Sequence, residues 1–186
     1  MTGTTAGTST TGTAGTSTAG TVVRAVHAMA GASDAEFAAV FHPEAVNHEA
    51  LAEPAACRAR GPAGFRATSA WLTTAFADLA FEVQEVVEQG DVVVVLALMS
   101  GRHTGDFVVR NDDGGIERAF APTGRRFSVA QSHHFRVRDG LVVEHRAVRD
   151  DQGMARQLGW VPPSPAYLLR CALATSRARR RGAAGG

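Results

Sequence analysis

The side chains best suited to chemistry are two histidines and a glutamine on one predicted β-hairpin. Gln131 and His133 alternate along a strand in phase with Phe135, so all three share one face. His145 lies on the next strand, after a turn at Asp139-Gly140. An imidazole can transfer a proton near neutral pH, and two imidazoles with a carboxamide can polarise a carbonyl and stabilise an enolate. We therefore predict that His133 and His145 are catalytic and that Gln131 binds the substrate.

A polar group on an apolar strand face needs a partner, because leaving it unpaired costs on the order of 1–3 kcal/mol. The three side chains could hydrogen-bond one another as structural core residues. They could instead line a pocket that a ligand enters. The pattern leaves both possibilities open.

Two further polar residues are candidates for substrate binding. Asn47 is predicted in a polar turn after the second helix, from which it could reach the mouth of a cavity. His103 ends a buried strand at a bend and is expected at the cavity rim. Their alternatives are a simple turn residue and a structural histidine. His27 and His42 are expected on helix surfaces.

Motifs for metals and common cofactors are missing. The sequence has no Cys-x-x-Cys or His-Glu-x-x-His spacing, no glycine-rich phosphate loop after a strand and no Gly-x-Ser-x-Gly turn. Its two cysteines are too few for a disulfide framework. We predict an enzyme without metal or cofactor.

The 186-residue composition excludes several classes of protein. The chain has 19 basic residues, all arginine, and 18 acidic ones, so its net charge is +1, unlike that of a dedicated nucleic-acid binder. No apolar stretch is long enough to span a membrane. We expect a cytoplasmic protein that binds a small molecule and neither nucleic acid nor membrane.

Three segments are predicted along the chain. Residues 1–20 are almost all Thr, Gly, Ala and Ser, and they are expected to be a disordered leader because they can bury little apolar surface. Residues 21–160 form the folded domain. Residues 161–186 begin with a proline run and carry five arginines and no acid. This tail is expected to be a frayed, solvated terminus or, alternatively, an electrostatic anchor for an acidic partner.

Apolar spacing predicts helices first and antiparallel strands afterwards, which indicates an α+β fold. The sheet is expected to be a curved antiparallel one that wraps over the N-terminal helices as a cone with a ligand-sized cavity. Its strand at 92–99 is expected to be buried on both faces. The predicted elements are helices at about 22–29, 34–41 and 62–77, a loop at 48–62, strands at 81–88, 92–99, 107–109, 116–120, 127–137 and 141–148, and a short helix at 152–159.

Several short segments occur in an order typical of one protein family. They are 41–48 (FHPEAVNH), 61–65 (GPAGF), 101–105 (GRHTG), 122–126 (PTGRR), 139–145 (DGLVVEH), 150–153 (DDQG) and 156–159 (RQLG). On these residues the chain resembles the SnoaL-like polyketide cyclases of the nuclear-transport-factor-2-like superfamily, over about 35–160. The resemblance implies a cofactor-independent enzyme of secondary metabolism that closes a ring by intramolecular aldol condensation. It also implies a homodimer, because sheets of this superfamily commonly pair.

In that family a carboxylate removes a proton from an activated methylene, and neighbouring donors hold the enolate. The family's polar pocket residues match Asn47, Gln131, His133 and His145. The resemblance places the family's acid–base Asp at Ala147, and an alanine cannot transfer a proton. A second departure is the stretch 106–121, which is longer than usual and predicts an extra hairpin.

Three functions therefore stay open. The chain could be a cyclase or isomerase of a polyketide-like substrate in which His133 or His145 replaces the Asp. It could be an altered member that assists hydroxylation or only binds a ligand. The third possibility, an epoxide hydrolase, needs two carboxylates around an arginine and a water, for which Arg146, Arg149 and Asp150 are the candidates.

Overall fold

The structure is a computed structural model that describes residues 17–111 and 113–184. Most of the predicted leader lies outside these ranges. Residues 17–20 of this leader lie within them. The Ser17 side chain accepts a hydrogen bond from the Gly20 N–H and caps a helix that begins at Thr18. The predicted start of the folded domain at residue 21 is therefore wrong: the cap and the burial of Thr21 and Val22 hold a stretch whose composition is that of a linker.

In the part of the chain that the structure describes, three helices precede most of the sheet: α1 (Thr18–Ala28), α2 (Asp34–Ala38) and α3 (Pro62–Ala75). The predicted start of α2 is confirmed, because Ser33 and Glu36 form a reciprocal capping box. All three helices lie close to the positions that the apolar spacing predicts. Before α3 the chain makes two short 3₁₀ turns within the predicted loop, the first at Ala50–Ala52 and the second at Ala55–Arg58.

A five-stranded sheet in the order β1-β7-β6-β3-β2 forms the main layer, and a separate two-stranded sheet joins β4 to β5. All neighbours in the main sheet are antiparallel except β1 and β7, which run parallel. The strands are β1 (Phe41–Asn47), β2 (Phe76–Gln89), β3 (Val92–His103), β4 (Phe107–Arg110), β5 (Ile116–Phe120), β6 (Arg126–Arg138) and β7 (Leu141–Arg149). The α+β fold and the extra hairpin are confirmed.

Strand β1 is the element that the sequence pattern mispredicts. Residues 41–47 pair with β7 instead of ending the second helix, so Asn47 and His42 lie on a strand. Pro43 interrupts any alternation, yet the strand tolerates it because β1 is at the sheet edge. The predictions of a helix through 41 and of a turn at Asn47 are wrong because residues 41–47 pair with β7 as a strand.

The sheet bends around the helices and buries only one face. Strand β2 shifts register on either side of Asp78, whose φ of +54° marks a bulge that bends the strand. In β3 the buried residues alternate with more exposed ones: Val95 is fully buried, and Leu96 is 36% exposed. The prediction that this strand is buried on both faces is wrong, because every second residue of β3 points away from the core and is half-buried or exposed.

Two helices close the chain, α4 (Asp151–Leu158) and α5 (Pro165–Ala184). Helix α5 packs along β5, and it contradicts the prediction of a frayed tail from 161 onward. An apolar stripe at helical spacing explains the packing, since Tyr167, Cys171, Ala174 and Ala178 are all buried. No helix in the described ranges is long and apolar enough to cross a membrane.

A candidate active site inside the curved sheet

A cavity of about 390 Å³ lies between the inner face of the sheet and helices α1 and α3. Its volume is in the range that holds drug-sized ligands. Its wall is mostly apolar and includes several aromatic side chains, and polar side chains from β1, β6 and β7 cluster on one side. The aromatic residues include Phe41, Phe65, Phe76, Phe81, Phe135 and Trp160.

Strand register brings the predicted catalytic residues together. His145 on β7 is the register partner of Asn47 on β1, and His133 on β6 is the partner of Ala147. The His133 Nδ1 lies 3.0 Å from the His145 Nε2, and the His145 Nδ1 lies 3.0 Å from the Asn47 Oδ1. Asn47, His145 and His133 therefore form one hydrogen-bonded chain along the cavity wall.

The directions of these hydrogen bonds follow from one backbone contact. The Glu49 N–H donates to the Asn47 Oδ1, so that atom is an acceptor, and the His145 Nδ1 must donate to it. A neutral His145 then accepts at Nε2 from the His133 Nδ1–H. The His133 Nε2 is left as a free acceptor, and this buried atom has no hydrogen-bond partner among the described residues.

Burial keeps both imidazoles neutral at physiological pH. Desolvation, helped by the positive charge of Arg149, lowers the pKa of His133 to about 4. Desolvation first, and then His133 and Arg149, lower the pKa of His145 well below its ordinary value. The neutral state of both rings agrees with the hydrogen-bond directions of the chain.

The third predicted pocket residue also lines the cavity. Gln131 is 5% exposed, and its Nε2 donates to the Met99 Sδ at 3.0 Å. Its side chain is two residues from His133 on the same strand face. The sequence pattern alone placed these two groups correctly on the inner face.

His103 does not reach the cavity, so the prediction that it lies at the rim and binds substrate is wrong. Its side chain is fully buried, with its ring 5.2 Å from Trp160 and 5.6 Å from Phe76, and its Nδ1 accepts from the Thr123 N–H at 3.3 Å. Desolvation lowers its pKa to about 4. The cause is the extra hairpin, since Phe107 of β4 and Phe120 of β5 stack on Trp160 and cover this end of the sheet.

An acidic cluster on the cavity wall was not predicted. Glu53 is only 3% exposed and accepts a hydrogen bond from the Thr68 Oγ1 at 2.5 Å. Glu49 and Asp151 lie 3.8 Å and 3.7 Å from Arg149, which also lines the cavity. Glu49 and Glu53 belong to the irregular segment after β1, where no periodicity signals which side chains turn inward.

The residues expected for the other functions are dispersed. Arg146 is exposed, and Asp150 caps α4 by accepting from the Gly153 N–H at 2.7 Å, so neither joins Arg149 in the cavity. No group of histidine, cysteine and acidic side chains in the described ranges could hold a metal ion.

A curved sheet that closes with helices over a cavity defines a class of α+β folds, and solved structures share this fold. TsrD from Streptomyces laurentii is 28% identical, with a TM-score of 0.57, over 75% of this chain and 92% of that one. IdmH from Streptomyces antibioticus, a putative polyketide cyclase, is 26% identical, with a TM-score of 0.58, over 76% of this chain and 98% of that one.

The family follows from the sequence comparison, since the model of the SnoaL-like polyketide cyclases matches residues 20–158. The chain belongs to this family and is a cyclase-like enzyme. The aklanonic acid methyl ester cyclase DnrD of Streptomyces peucetius is 38% identical over 57% of this chain and 67% of its own length. DauD of Streptomyces sp. strain C5, of the same activity, is 37% identical, and the chain spans 60% of its length.

Proposed function

We propose that this protein closes a ring in a polyketide-like methyl ester by cofactor-independent aldol condensation, with His133 as the base. The observation that carries the proposal is the free acceptor at the His133 Nε2, on a residue that lines the cavity. The relatives' substrate, aklanonic acid methyl ester, supports the choice of an activated methylene compound as ligand.

The proton-transfer step uses the chain of hydrogen bonds as follows. The His133 Nε2 takes a proton from the methylene between two carbonyls, and the electron pair of the C–H bond passes into the enolate. The His133 imidazolium keeps donating from Nδ1 to the neutral His145, which is held in its acceptor tautomer by Asn47. The new positive charge is thus stabilised at the moment it forms, and it lies beside the enolate.

Ala147 explains why a histidine performs this step. Its methyl group is the direct cross-strand neighbour of His133 on the inner face. The family's Asp at this position would place a carboxylate against the ring. With alanine there, the nearest proton acceptor on this part of the wall is His133 itself.

The cavity also supplies orientation. Its aromatic wall can stack on a flat polyaromatic ligand, and the buried Trp160 Nε1–H has no hydrogen-bond partner among the described residues. A ligand carbonyl can accept from this indole, and another can accept from the Gln131 amide. Both contacts would hold the ligand without using the base.

The test is to titrate the purified protein with aklanonic acid methyl ester and to follow binding and turnover separately. We expect turnover, and we expect His133→Gln to lower kcat by about 10²–10⁴-fold with binding retained, because it removes only the base. His134→Gln is the matched control, since His134 is the neighbouring histidine on the exposed outer face. A kcat unchanged by His133→Gln would refute the role of this residue.

A second function is favoured by one observation, the alanine at position 147. A family member without the Asp could bind a polyketide and assist another enzyme. Binding of aklanonic acid methyl ester without any turnover by the wild type would support this accessory role over the cyclase. Incorporation of solvent oxygen from labelled water into an epoxide would instead identify a hydrolase.

A further inference from the structure

Glu53 is a buried carboxyl that the proton transfer described above does not use. It follows the first 3₁₀ turn (Ala50–Ala52), is 3% exposed and lines the cavity. No arginine or histidine in the described ranges forms an ion pair with it, whereas Glu49 nearby pairs with Arg149. A buried acid without a direct ion-pair partner needs an explanation, because burying a carboxylate is costly.

Hydrogen bonds connect Glu53 to the same network as the two histidines. The Thr68 Oγ1 donates to the Glu53 Oε2 at 2.5 Å, and the Asn47 Nδ2 donates to the Thr68 Oγ1 at 3.5 Å. Asn47 in turn accepts from His145. The carboxyl and the base thus lie at the two ends of one chain of hydrogen bonds along the cavity wall.

We propose that Glu53 is a second catalytic residue, the acid that protonates the carbonyl oxygen attacked during ring closure. This assignment rests on the proposed aldol function and deepens it. An aldol closure needs two groups, one to take a proton from carbon and one to give a proton to oxygen. His133 supplies the first, and Ala147 supplies neither.

The step balances without a co-reactant. The enolate carbon attacks the carbonyl carbon, the new C–C bond forms, and the C=O π bond breaks. Its electron pair passes to oxygen, which takes the proton of the Glu53 carboxyl. The imidazolium proton of His133 then returns the Glu53 carboxylate to its acid form through solvent. One proton has moved from carbon to oxygen, and the enzyme is unchanged.

The surroundings of Glu53 favour the carboxylic acid over the carboxylate. Burial raises its pKa, and hydrogen bonds from Thr68 and Cys57 together with the charge of Arg149 only partly oppose this, while Glu49 adds to it. The groups that face Glu53 are thus Cys57 from the second 3₁₀ turn, Thr68 from α3, Arg149 from β7, and Glu49 of its own segment. A carboxyl kept neutral in an apolar site is a hydrogen-bond and proton donor at neutral pH.

The alternative is a purely structural role, in which Glu53 only ties the 3₁₀ segment to Thr68. Glu53→Gln separates the two roles, because the amide keeps the shape and a hydrogen bond but has no acidic proton. A structural role predicts a lower Tm and an unchanged kcat per folded molecule. The catalytic role predicts a nearly unchanged Tm and a lower kcat per folded molecule.

The experiment measures kcat and KM with aklanonic acid methyl ester for wild type, Glu53→Gln, Glu53→Gln with Ala147→Asp, and the control Glu85→Gln on the exposed face of β2. We expect Glu53→Gln to lower kcat about 10²-fold or more, to leave KM nearly unchanged, and to remove the alkaline limb of the pH profile, because the acid must be protonated to act. In the double variant, Ala147→Asp should restore part of the kcat that Glu53→Gln removes. A wild-type kcat and a retained alkaline limb in Glu53→Gln would overturn the proposal.

Infrared difference spectra make the result independent of turnover. The band of a protonated carboxyl at neutral pH, identified by its loss in Glu53→Gln, should shift when aklanonic acid methyl ester binds. If the wild type binds the ester without turnover, the proposed cyclase function fails, and this band alone decides whether Glu53 donates to the ligand. A carboxylate at neutral pH, or a band that the ester leaves unmoved, would overturn the inference.

Discussion

The directions of the hydrogen bonds in the site depend on one side-chain oxygen. The Asn47 Oδ1 accepts from both the Glu49 N–H and the His145 Nδ1, and these contacts fix the tautomers of both histidines. An amide also adds no charge, so the pKa values of the histidines stay low. The base at His133 therefore remains deprotonated down to mildly acidic pH.

Asn47→Asp should change this property with little change in shape. A carboxylate beside the His145 Nδ1 stabilises an imidazolium, so the pKa values of the histidine pair should rise by about 1 unit or more. The base is then protonated over more of the pH range, and the acidic limb of kcat/KM moves to higher pH. Nitrogen NMR of the histidines during a pH titration measures the shift, with Asn111→Asp on the exposed hairpin as control. An unchanged midpoint would contradict the assigned tautomers.

The sequence predicts those site residues whose direction the strand alternation determines. Gln131 and His133 are on the inner face because a strand has a period of two, and His145 follows from the Asp139-Gly140 turn, in which both residues have positive φ. His103 was mispredicted, since its burial depends on the hairpin and Trp160 folding over it. Glu53 was missed because its direction is set by tertiary contact with α3 rather than by its neighbours in sequence.

Among the elements, the two that the pattern misses are those stabilised by distant partners. Strand β1 is recognisable only by its parallel pairing with β7, about a hundred residues further along the chain. Helix α5 buries four small or aromatic side chains against β5, and its arginines contact the same hairpin: Arg179 donates to the Ile116 and Glu117 carbonyls at 3.1 Å. The sequence pattern predicts a frayed tail because Gly and Ala residues finish the chain, and its arginines suggest only an electrostatic anchor.

Neighbouring residues of α5 provide a matched test of this packing. Ala174 is fully buried and Leu173 is 53% exposed. Ala174→Glu buries an unpaired charge and should lower the free energy of unfolding by on the order of 3 kcal/mol, whereas Leu173→Glu should change it by less than about 0.5 kcal/mol. Urea unfolding followed by circular dichroism measures both. Equally small changes in the free energy of unfolding for the two variants would show that the helix frays in solution, as the sequence pattern predicts.

For the whole molecule, the two faces of the sheet have different properties. The inner face closes over the cavity, and the outer face exposes apolar residues, among them Val87 at 60% and Val148 at 70%. Exposed apolar side chains on a sheet face can contribute to a protein interface. The homodimer remains a prediction, and the outer face is the surface on which it would form.

Global stability should depend on pH because the fold buries neutral histidines. Burial lowers the pKa of both His103 and His133 to about 4, from an ordinary value near 6.5. Between these values the unfolded chain binds protons that the folded chain does not, so stability falls as the pH decreases. By pH 5 the loss should reach about 2 kcal/mol for each histidine relative to pH 7.5. The raised pKa of Glu53 acts in the opposite direction, since the folded chain there retains a proton that the unfolded chain releases as the pH rises.

Urea unfolding of the wild type and of His103→Gln at pH 7.5 and pH 5 separates these contributions. His103 lies outside the cavity, so its replacement should remove about a third of the histidine-dependent loss, because His133 and His145 are also buried in the neutral form, and it should leave the hydrogen-bonded chain at His133 unaffected. His27→Gln is the control, because His27 is exposed on α1. The same loss of stability between the two pH values in wild type and in His103→Gln would show that His103 is not buried in the neutral form.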